Sequence, residues 1–291
     1  MIDPELAARL ERIRVLTRRK ITAAFAGDYI SAFKGRGMEF EEVRPYQPGD
    51  EVKFIDWNVT ARSSEPYVKV YREERELSMM LLLDLSPSGL FSSQEKSKNQ
   101  LAAELCAMLA YTAVSNQDKV GLTIFTDHVE KVIPPARGNR HVMHLIRDVI
   151  SYKPEGKGTS ISSALKYTNS ILRKKSILFL ISDFHDQGYE NHLAAAAEKH
   201  DLVCIQLLDP REEIAPDRGL YRFVDPESGR TRLYDGRSPQ ARKEWEKLYH
   251  GRQKALKSMI REKGGDFLTL HAGEDWVQPL TRFFMQRGGL V

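Results

Sequence analysis

From residue 77 onward, short apolar segments alternate with longer segments of helical periodicity, and this alternation constrains the fold more than any other feature. Continuous apolar runs of strand length predict buried strands. Strands and helices in alternation are typical of a largely parallel sheet with helices on both faces. The predicted strands cover 77–83, 119–125 with a hairpin extension through Val132, 176–182 and 201–208, and the predicted helices cover about 95–115, 139–151, 160–174 and 189–199. The sequence therefore predicts a doubly wound, mostly parallel α/β fold.

Residues 210–236 interrupt this alternation. The turn-forming residues 225–229 separate two short β-like segments, 221–224 and 231–234, and this pattern predicts an inserted β-hairpin. The segments predicted to follow are a charged helix at about 239–263, a strand at 266–270 and a helix from about 275 to 286. The last strand of the sheet is thus expected to come from the C-terminal part of the chain.

The N-terminal quarter has a different character. Residues 4–25 have helical spacing, and residues 27–76 are rich in glycine, proline and aromatic residues with short β-like pieces. We therefore expect three parts. They are an N-terminal helix at 1–26, a small β-containing subdomain at 27–76, and a large α/β domain at 77–291 with the hairpin insertion at about 210–236.

Oxygen-bearing side chains lie where two predicted strands end and where one helix begins. Asp84, Ser86 and Ser88 follow the first strand, Asp183 follows the strand at 176–182, and Thr159 follows a glycine-rich turn. In open α/β sheets, ligands collect at the carboxyl ends of the strands. A set of oxygen ligands with low total charge suits Mg²⁺ or Mn²⁺ in an octahedral shell completed by water. Asp-x-Ser-x-Ser alone is also compatible with a cluster that caps the following helix.

Taken together, these five residues resemble the metal-ion-dependent adhesion site (MIDAS) of von Willebrand factor A domains. The resemblance implies that Asp84, Ser86, Ser88, Thr159 and Asp183 hold the ion, with Asp183 often acting through water in that family. It also implies that one coordination position stays open for a carboxylate of a partner protein. His185, two positions after Asp183, is a candidate to hydrogen-bond a metal ligand without binding the ion itself.

The segment upstream of the metal loop contains Arg44-Pro45-Tyr46-x-x-Gly49-Asp50 and Ile55-Asp56-Trp57, and it continues to Arg62. This segment resembles the domain of unknown function 58 family, in which such a block leads into a von Willebrand A-type domain. The charges of Arg44, Asp50, Asp56 and Arg62 alternate in sign near Tyr46 and Trp57. We interpret them as a buried ion-pair network that fixes the subdomain to the sheet, and the alternative is a partner-binding surface.

The family resemblance also implies a partner. Its members are associated with AAA+ ATPases of the MoxR class and act as adaptors or co-chaperones on client proteins. We therefore expect a metal-dependent protein-binding module with chaperone-like adaptor function and no enzymatic activity. The alternatives are a Mg²⁺-dependent hydrolase or phosphatase, and a protein whose ion is purely structural.

Against hydrolysis, Ser86 stands where a phosphoryl-transfer site needs a second carboxylate, and the residues before Gly156-Lys157 lack the earlier glycine of a P-loop. Of the 291 residues, 41% are hydrophobic and 29% are charged, as in an ordinary soluble protein with a large core.

No apolar stretch approaches the ~18 residues of a membrane helix, and the first residues lack the pattern of a signal peptide. We therefore expect a cytoplasmic protein without membrane insertion. The net charge of +4 gives little reason to expect nucleic acid.

Overall fold

The computed structural model describes residues 23–33, 38–63, 65–73, 77–90, 93 and 97–289. Most of the predicted helix at 4–25 lies outside these residues. The strands are β1 Met38–Pro45, β2 Tyr67–Glu73, β3 Ser78–Asp84, β4 Lys119–Phe125, β5 Val129–Ala136, β6 Ile177–Ser182, β7 Asp201–Leu208, β8 Leu220–Val224, β9 Thr231–Asp235 and β10 Asp266–His271. The α-helices are α1 Ala23–Phe33, α2 Trp57–Thr60, α3 Lys98–Ser115, α4 Asn139–Ser151, α5 Ile161–Ile171, α6 Glu190–Lys199, α7 Pro210–Glu213, α8 Pro239–Glu262 and α9 Val277–Arg287.

A six-stranded sheet in the order β10-β7-β6-β3-β4-β5 forms the centre of the molecule. The pairs β10–β7, β7–β6, β6–β3 and β3–β4 are parallel, and only β5 runs antiparallel to its neighbour β4. The predicted α/β class and mostly parallel sheet are therefore confirmed. β5 ends in Pro134, Pro135 and Ala136, so it is longer than the predicted extension through Val132.

The side chains of β3 show why a continuous apolar run forms a central strand. Met79, Leu81 and Leu83 belong to the apolar core on one face of the sheet, whereas Met80 and Leu82 belong to the core on the other face. Successive side chains of a strand point to opposite faces, so a strand covered by helices on both sides is apolar at every position. The first face also holds residues of α1, α3, α4 and α9, and the second holds residues of α5, α6 and α8.

Helix α1 runs through Gly27, so the expected boundary between residues 26 and 27 falls inside a helix. Phe25 and Phe33 of α1 pack their rings against Phe284 of α9, at centroid distances of 5.6 Å in both cases. A glycine inside a helix costs about 1 kcal/mol. Burial of each aromatic side chain contributes about 1.5–3 kcal/mol and outweighs that cost. The composition change at Gly27 therefore does not end the helix.

Two small antiparallel pairs flank the main sheet. β1 pairs with β2, and the predicted hairpin is present as β8 paired with β9. An aromatic cluster attaches this hairpin to α8, because the ring of Trp245 lies 5.3 Å from Phe223 and 5.4 Å from Tyr234 between centroids. Isolated two-stranded hairpins are marginally stable in water, so the position of this one depends on such attachments.

Candidate metal centre

Asp84 and Asp183 follow neighbouring parallel strands, and they therefore meet at the carboxyl edge of the sheet. Asp84 is the last residue of β3, and Asp183 directly follows β6. The Asp84 carboxylate accepts a hydrogen bond from the Ser86 amide at 2.8 Å and another from the Ser182 hydroxyl at 2.6 Å. Each bond engages one of the two carboxylate oxygens, so together they fix the orientation of the group.

A cavity of about 10 Å³, roughly the space of a single water molecule, lies between these residues. The predicted ligands that line it are Asp84, Ser86, Ser88 and Asp183. The hydroxyl oxygens of Ser86 and Ser88 are 3.0 Å apart. The structure thus brings four of the five predicted ligands around one small space.

Lys98 also lines this cavity, and its role was not recognised in the sequence. Its ammonium group donates to Asp183 at 2.9 Å and to Glu212 of α7 at 2.7 Å. Lys98 is only 2% exposed, so these carboxylates replace its hydration. The sequence signal was weak, because Lys98 is the first residue of α3 and basic residues are common on helix surfaces.

Burial and charge separate the two aspartates. Burial and, next to it, the charge of Asp183 raise the pKa of Asp84 to about 7, although the hydrogen bonds from Ser182 and Ser86 oppose them. Burial alone would also raise the pKa of Asp183, but the charge and hydrogen bond of Lys98 outweigh it and leave that pKa lowered. The ammonium of Lys98 thus compensates Asp183, whereas the contacts described above give Asp84 hydrogen bonds but no counter-charge.

Thr159, the fifth predicted ligand, does not line the cavity. Its hydroxyl donates at 2.6 Å to Glu227, which lies in the turn of the β8–β9 hairpin. Glu227 lines a larger groove of about 920 Å³, and Ser88 and Asp183 line the same groove. Burial raises the pKa of Glu227, the Thr159 hydroxyl lowers it, and the charge of Asp183 raises it again. Glu227 is a residue of this region that the sequence reasoning missed.

His185 lies beside Asp183 and lines the same groove. Its amide donates to the Asp183 carboxylate at 3.2 Å, and its Nδ1 lies 2.9 Å from the guanidinium of Arg252 in α8. Burial lowers the pKa of His185, and the charge of Asp183 opposes this effect. The amide of His185 thus holds the Asp183 carboxylate, and its ring contacts Arg252.

The donor chemistry fits a small hard cation. Carboxylate and hydroxyl oxygens converge on an ion-sized space, and Asp84 is a buried carboxylate without an ammonium partner of its own among the contacts described above. Within the described part of the chain, no group of three or more His, Cys, Asp or Glu side chains is placed to hold a metal ion. A cation here would therefore depend on the serine hydroxyls.

The signature residues upstream form local contacts instead of a buried network. Arg44 makes a bidentate ion pair with Asp50 at 2.7 and 2.8 Å across the turn between them. The Asp56 carboxylate accepts amide hydrogen bonds at the start of α2, and its Oδ2 lies 3.4 Å from the Nζ of Lys69 in β2. The interpretation of a buried network fixing the subdomain to the sheet is wrong for these pairs. Arg44 and Asp50 are half-buried and close their own turn, and Asp56 is bonded within the subdomain.

The remaining signature residues are on the surface of the subdomain. Trp57 is 66% exposed, Arg62 is exposed, and Tyr46 is half-buried. The amide of Tyr46 donates to the carbonyl of Pro66 at 2.8 Å, which joins the two ends of the loop. The exposure of Trp57 is compatible with the alternative interpretation, a partner-binding surface.

Solved structures with a similar fold include two from the genus Bacteroides. One is an aerotolerance-related membrane protein of Bacteroides fragilis with a TM-score of 0.52, and the other is the conserved hypothetical protein BatB of Bacteroides thetaiotaomicron with a TM-score of 0.50. Each is 16% identical and covers 74% of this chain and 100% of its own. The mostly parallel sheet and its helices define a protein with a von Willebrand A-like fold.

The chain belongs to the family described as protein of unknown function DUF58, which matches residues 42–255. Among its relatives is the uncharacterized protein Rv1480 of Mycobacterium tuberculosis, which is 29% identical over 288 residues, covering 98% of this chain and 90% of the relative. The resemblance seen in the signature block is therefore confirmed. Among the described residues, no helix is both long and apolar enough to cross a membrane.

Proposed function

We propose that this protein is a metal-dependent protein-binding adaptor of the co-chaperone type. The observation that carries the proposal is the convergence of Asp84, Ser86, Ser88 and Asp183 on one ion-sized cavity beside an open groove. A bound Mg²⁺ or Mn²⁺ would supply an open coordination position for a carboxylate oxygen of another protein. The groove would then receive the segment on which that carboxylate lies.

The protein's own residues have separate tasks in this scheme. Asp84 provides the charge that holds a cation, and Ser86 and Ser88 provide neutral oxygens that leave the cation attractive to a further anion. Asp183 is kept ionised by Lys98 at 2.9 Å and serves as the second anionic oxygen donor, directly or through water. Thr159 would complete the set on release of its bond to Glu227.

We propose an AAA+ ATPase of the MoxR class as the partner, with client proteins acting through the same adaptor. This part of the proposal depends on the family resemblance. Such a division of labour would fit a chain whose glycine-rich turn at 156–160 lacks P-loop spacing. The adaptor role without enzymatic activity is favoured over hydrolysis because the residue two positions after Asp84 is Ser86, where a phosphoryl-transfer site needs a second carboxylate.

The test is an affinity pull-down from native extract with mass-spectrometric identification. Wild-type protein is compared in Mg²⁺ and in chelator, beside Asp84→Ala and the control Asp217→Ala, which removes an exposed aspartate far along the chain from the metal loop. We expect an AAA+ ATPase only with wild type and the control in Mg²⁺. Equal capture by folded Asp84→Ala would contradict a metal-dependent interface, and a purely structural ion predicts that result.

A further inference from the structure

The hairpin turn between β8 and β9 contributes a carboxylate to the edge of the sheet where the candidate metal centre lies. Glu227 Oε1 accepts the hydrogen bond of Thr159, a residue 68 positions earlier, at 2.6 Å. Its other oxygen faces Gly158, because a Cβ added to this glycine would lie 4.0 Å from Glu227 Oε2. Both oxygens of the carboxylate thus face the loop that carries the fifth predicted ligand.

The turn that presents Glu227 is held in shape by its own residues. Asp225 accepts hydrogen bonds from the Glu227 amide, at 3.1 Å, and from the Ser228 hydroxyl. The hairpin is in turn attached to α8 through Trp245. The turn contacts of Asp225 and the attachment to α8 therefore fix the backbone position from which the Glu227 side chain reaches Thr159.

Among the carboxylates near this edge of the sheet, Asp183 is compensated by Lys98, whereas the contacts described above give Glu227 and Asp84 only hydrogen bonds. Glu227 and Asp183 are two carboxylates that line the same groove, and Asp84 lines the small cavity beside it. Like charges repel more strongly in a partly desolvated site than in water. A cation between the carboxylates would convert this repulsion into attraction, and a hydroxyl hydrogen bond alone does not.

We propose that Glu227 is an internal ligand of the metal centre. With an ion held by Asp84, Ser86 and Ser88, the Glu227 carboxylate leaves the hydroxyl of Thr159 and takes the position that a partner's carboxylate would otherwise fill. Thr159 is then free to turn its oxygen toward the ion. The hairpin thus closes the site until a partner carboxylate displaces Glu227. This inference rests on the proposed function and adds to it a competitor built into the same chain.

A tethered competitor has a defined effect on partner binding. A group held close to its site acts at an effective concentration in the millimolar range or above, so a weak single carboxylate does not displace it. A partner succeeds only if it gains additional contacts, which the groove beside Ser88 and Asp183 offers once the hairpin moves. The arrangement would therefore reject free carboxylates and admit a larger acidic segment.

The test counts the water molecules on bound Mn²⁺ by water proton relaxation. Wild type is compared with Glu227→Ala at saturating Mn²⁺, with Glu244→Ala as the control because Glu244 is an exposed carboxylate on α8. We expect Glu227→Ala to gain about one exchangeable water, because six positions surround such an ion. Acetate should then remove that water in Glu227→Ala and have no effect on wild type at the same concentration.

The outcomes separate this inference from the proposed function. Equal hydration in wild type and Glu227→Ala, with Mn²⁺ binding lost in Asp84→Ala, would overturn the internal ligand and leave the metal centre intact. Equal action of acetate on both proteins would overturn it as well. Failure of every form of the protein to bind Mn²⁺ would overturn the inference together with the metal-dependent function.

Discussion

At the scale of single residues, Lys98 is the side chain on which the candidate site most depends. Its buried ammonium compensates Asp183 and Glu212 at the same time, at 2.9 and 2.7 Å. Burial alone would lower the pKa of Lys98, but these two carboxylates raise it, so the side chain stays protonated. A fixed cation in this place leaves Asp84 as the carboxylate that can respond to an added ion.

We expect Lys98→Met to destabilise the protein by about 3–5 kcal/mol, because it leaves carboxylates buried without their counter-charge. Urea unfolding followed by circular dichroism measures this loss. Lys53→Met is the matched control, since its ion pair with Glu51 is largely exposed and should change the free energy of unfolding by less than about 1 kcal/mol. A loss of similar size in both variants would contradict the assigned role of Lys98.

A second prediction concerns His200, far from the metal loop in sequence. His200 is 2% exposed, and its Nδ1 accepts the amide of Ser176 at 3.2 Å, so the folded protein holds it neutral. Burial, together with the nearby charges of Lys199 and Lys175, lowers the pKa of His200 to about 4. The unfolded chain therefore binds more protons at mildly acid pH, and stability falls as the pH decreases from about 6.5 toward 4.

In His200→Gln, the amide oxygen can still accept from Ser176 while the titration is removed. We expect wild type to lose on the order of 2 kcal/mol more than His200→Gln between pH 7 and pH 4. Denaturant unfolding at a series of pH values measures the difference. Parallel pH profiles for the two proteins would show that His200 is not the acid-sensitive group.

At the scale of elements, the hairpin β8–β9 depends on its attachment to helix α8. Four of the five residues in β8 are exposed, so the two strands have little core of their own. The rings of Phe223, Tyr234 and Trp245 contact one another at centroid distances between 5.3 and 5.9 Å. The attachment is thus made by three side chains, and Trp245 is shared by both strands.

We expect Trp245→Ala to loosen the hairpin while the main sheet stays intact. Loss of about 1–2 kcal/mol of local stability corresponds to roughly 5–30-fold faster amide exchange in β8 and β9. Hydrogen exchange with mass spectrometry measures this change. Leu248→Ala on the same helix is the control, because Leu248 is 67% exposed and lacks the aromatic contacts. Unchanged exchange in β8 and β9 would mean that other contacts hold the hairpin.

Helices and strands could be predicted from the sequence where the spacing of their own apolar residues is enough to define them. The sequence placed β7 at 201–208 and α4 at 139–151, as the structure has them, since both carry a complete burial pattern of their own. It missed the continuation of α1 to Phe33, because the aromatic side chains that stabilise this helix have their partner Phe284 in α9. Helix boundaries that depend on a distant element leave no local signal.

The candidate site shows the same division. Asp84, Ser86, Ser88 and Asp183 were found because strand ends can be read from the sequence, and parallel neighbours bring them to one edge. Lys98 and Glu227 were missed, because their contacts with Asp183 and Thr159 join residues 85 and 68 positions apart. Whether a charged residue such as Lys98 becomes buried depends on the packing of distant elements, which the local sequence does not show.

At the scale of the whole molecule, ion binding should stabilise the folded state. A ligand that binds only the folded protein contributes about 2.7 kcal/mol at a hundredfold excess over its dissociation constant. We expect Mg²⁺ to raise the melting temperature of wild type and not of Asp84→Asn, which keeps the shape of the side chain. Differential scanning calorimetry with Ca²⁺-free buffers measures the shift. An equal shift in both proteins would place the stabilising ion elsewhere.

The two prolines at the end of β5 have a consequence for how this protein can meet others. β5 is an outer strand of the sheet, and Pro134 and Pro135 have no amide hydrogen to offer to an incoming chain. Proteins use such residues to prevent their sheets from growing by stepwise addition of strands from neighbouring molecules. This side of the sheet is thus protected against strand addition by neighbouring molecules. The adaptor role proposed above would require release of a partner, and contacts made by side chains would separate more readily than a continuous intermolecular ladder.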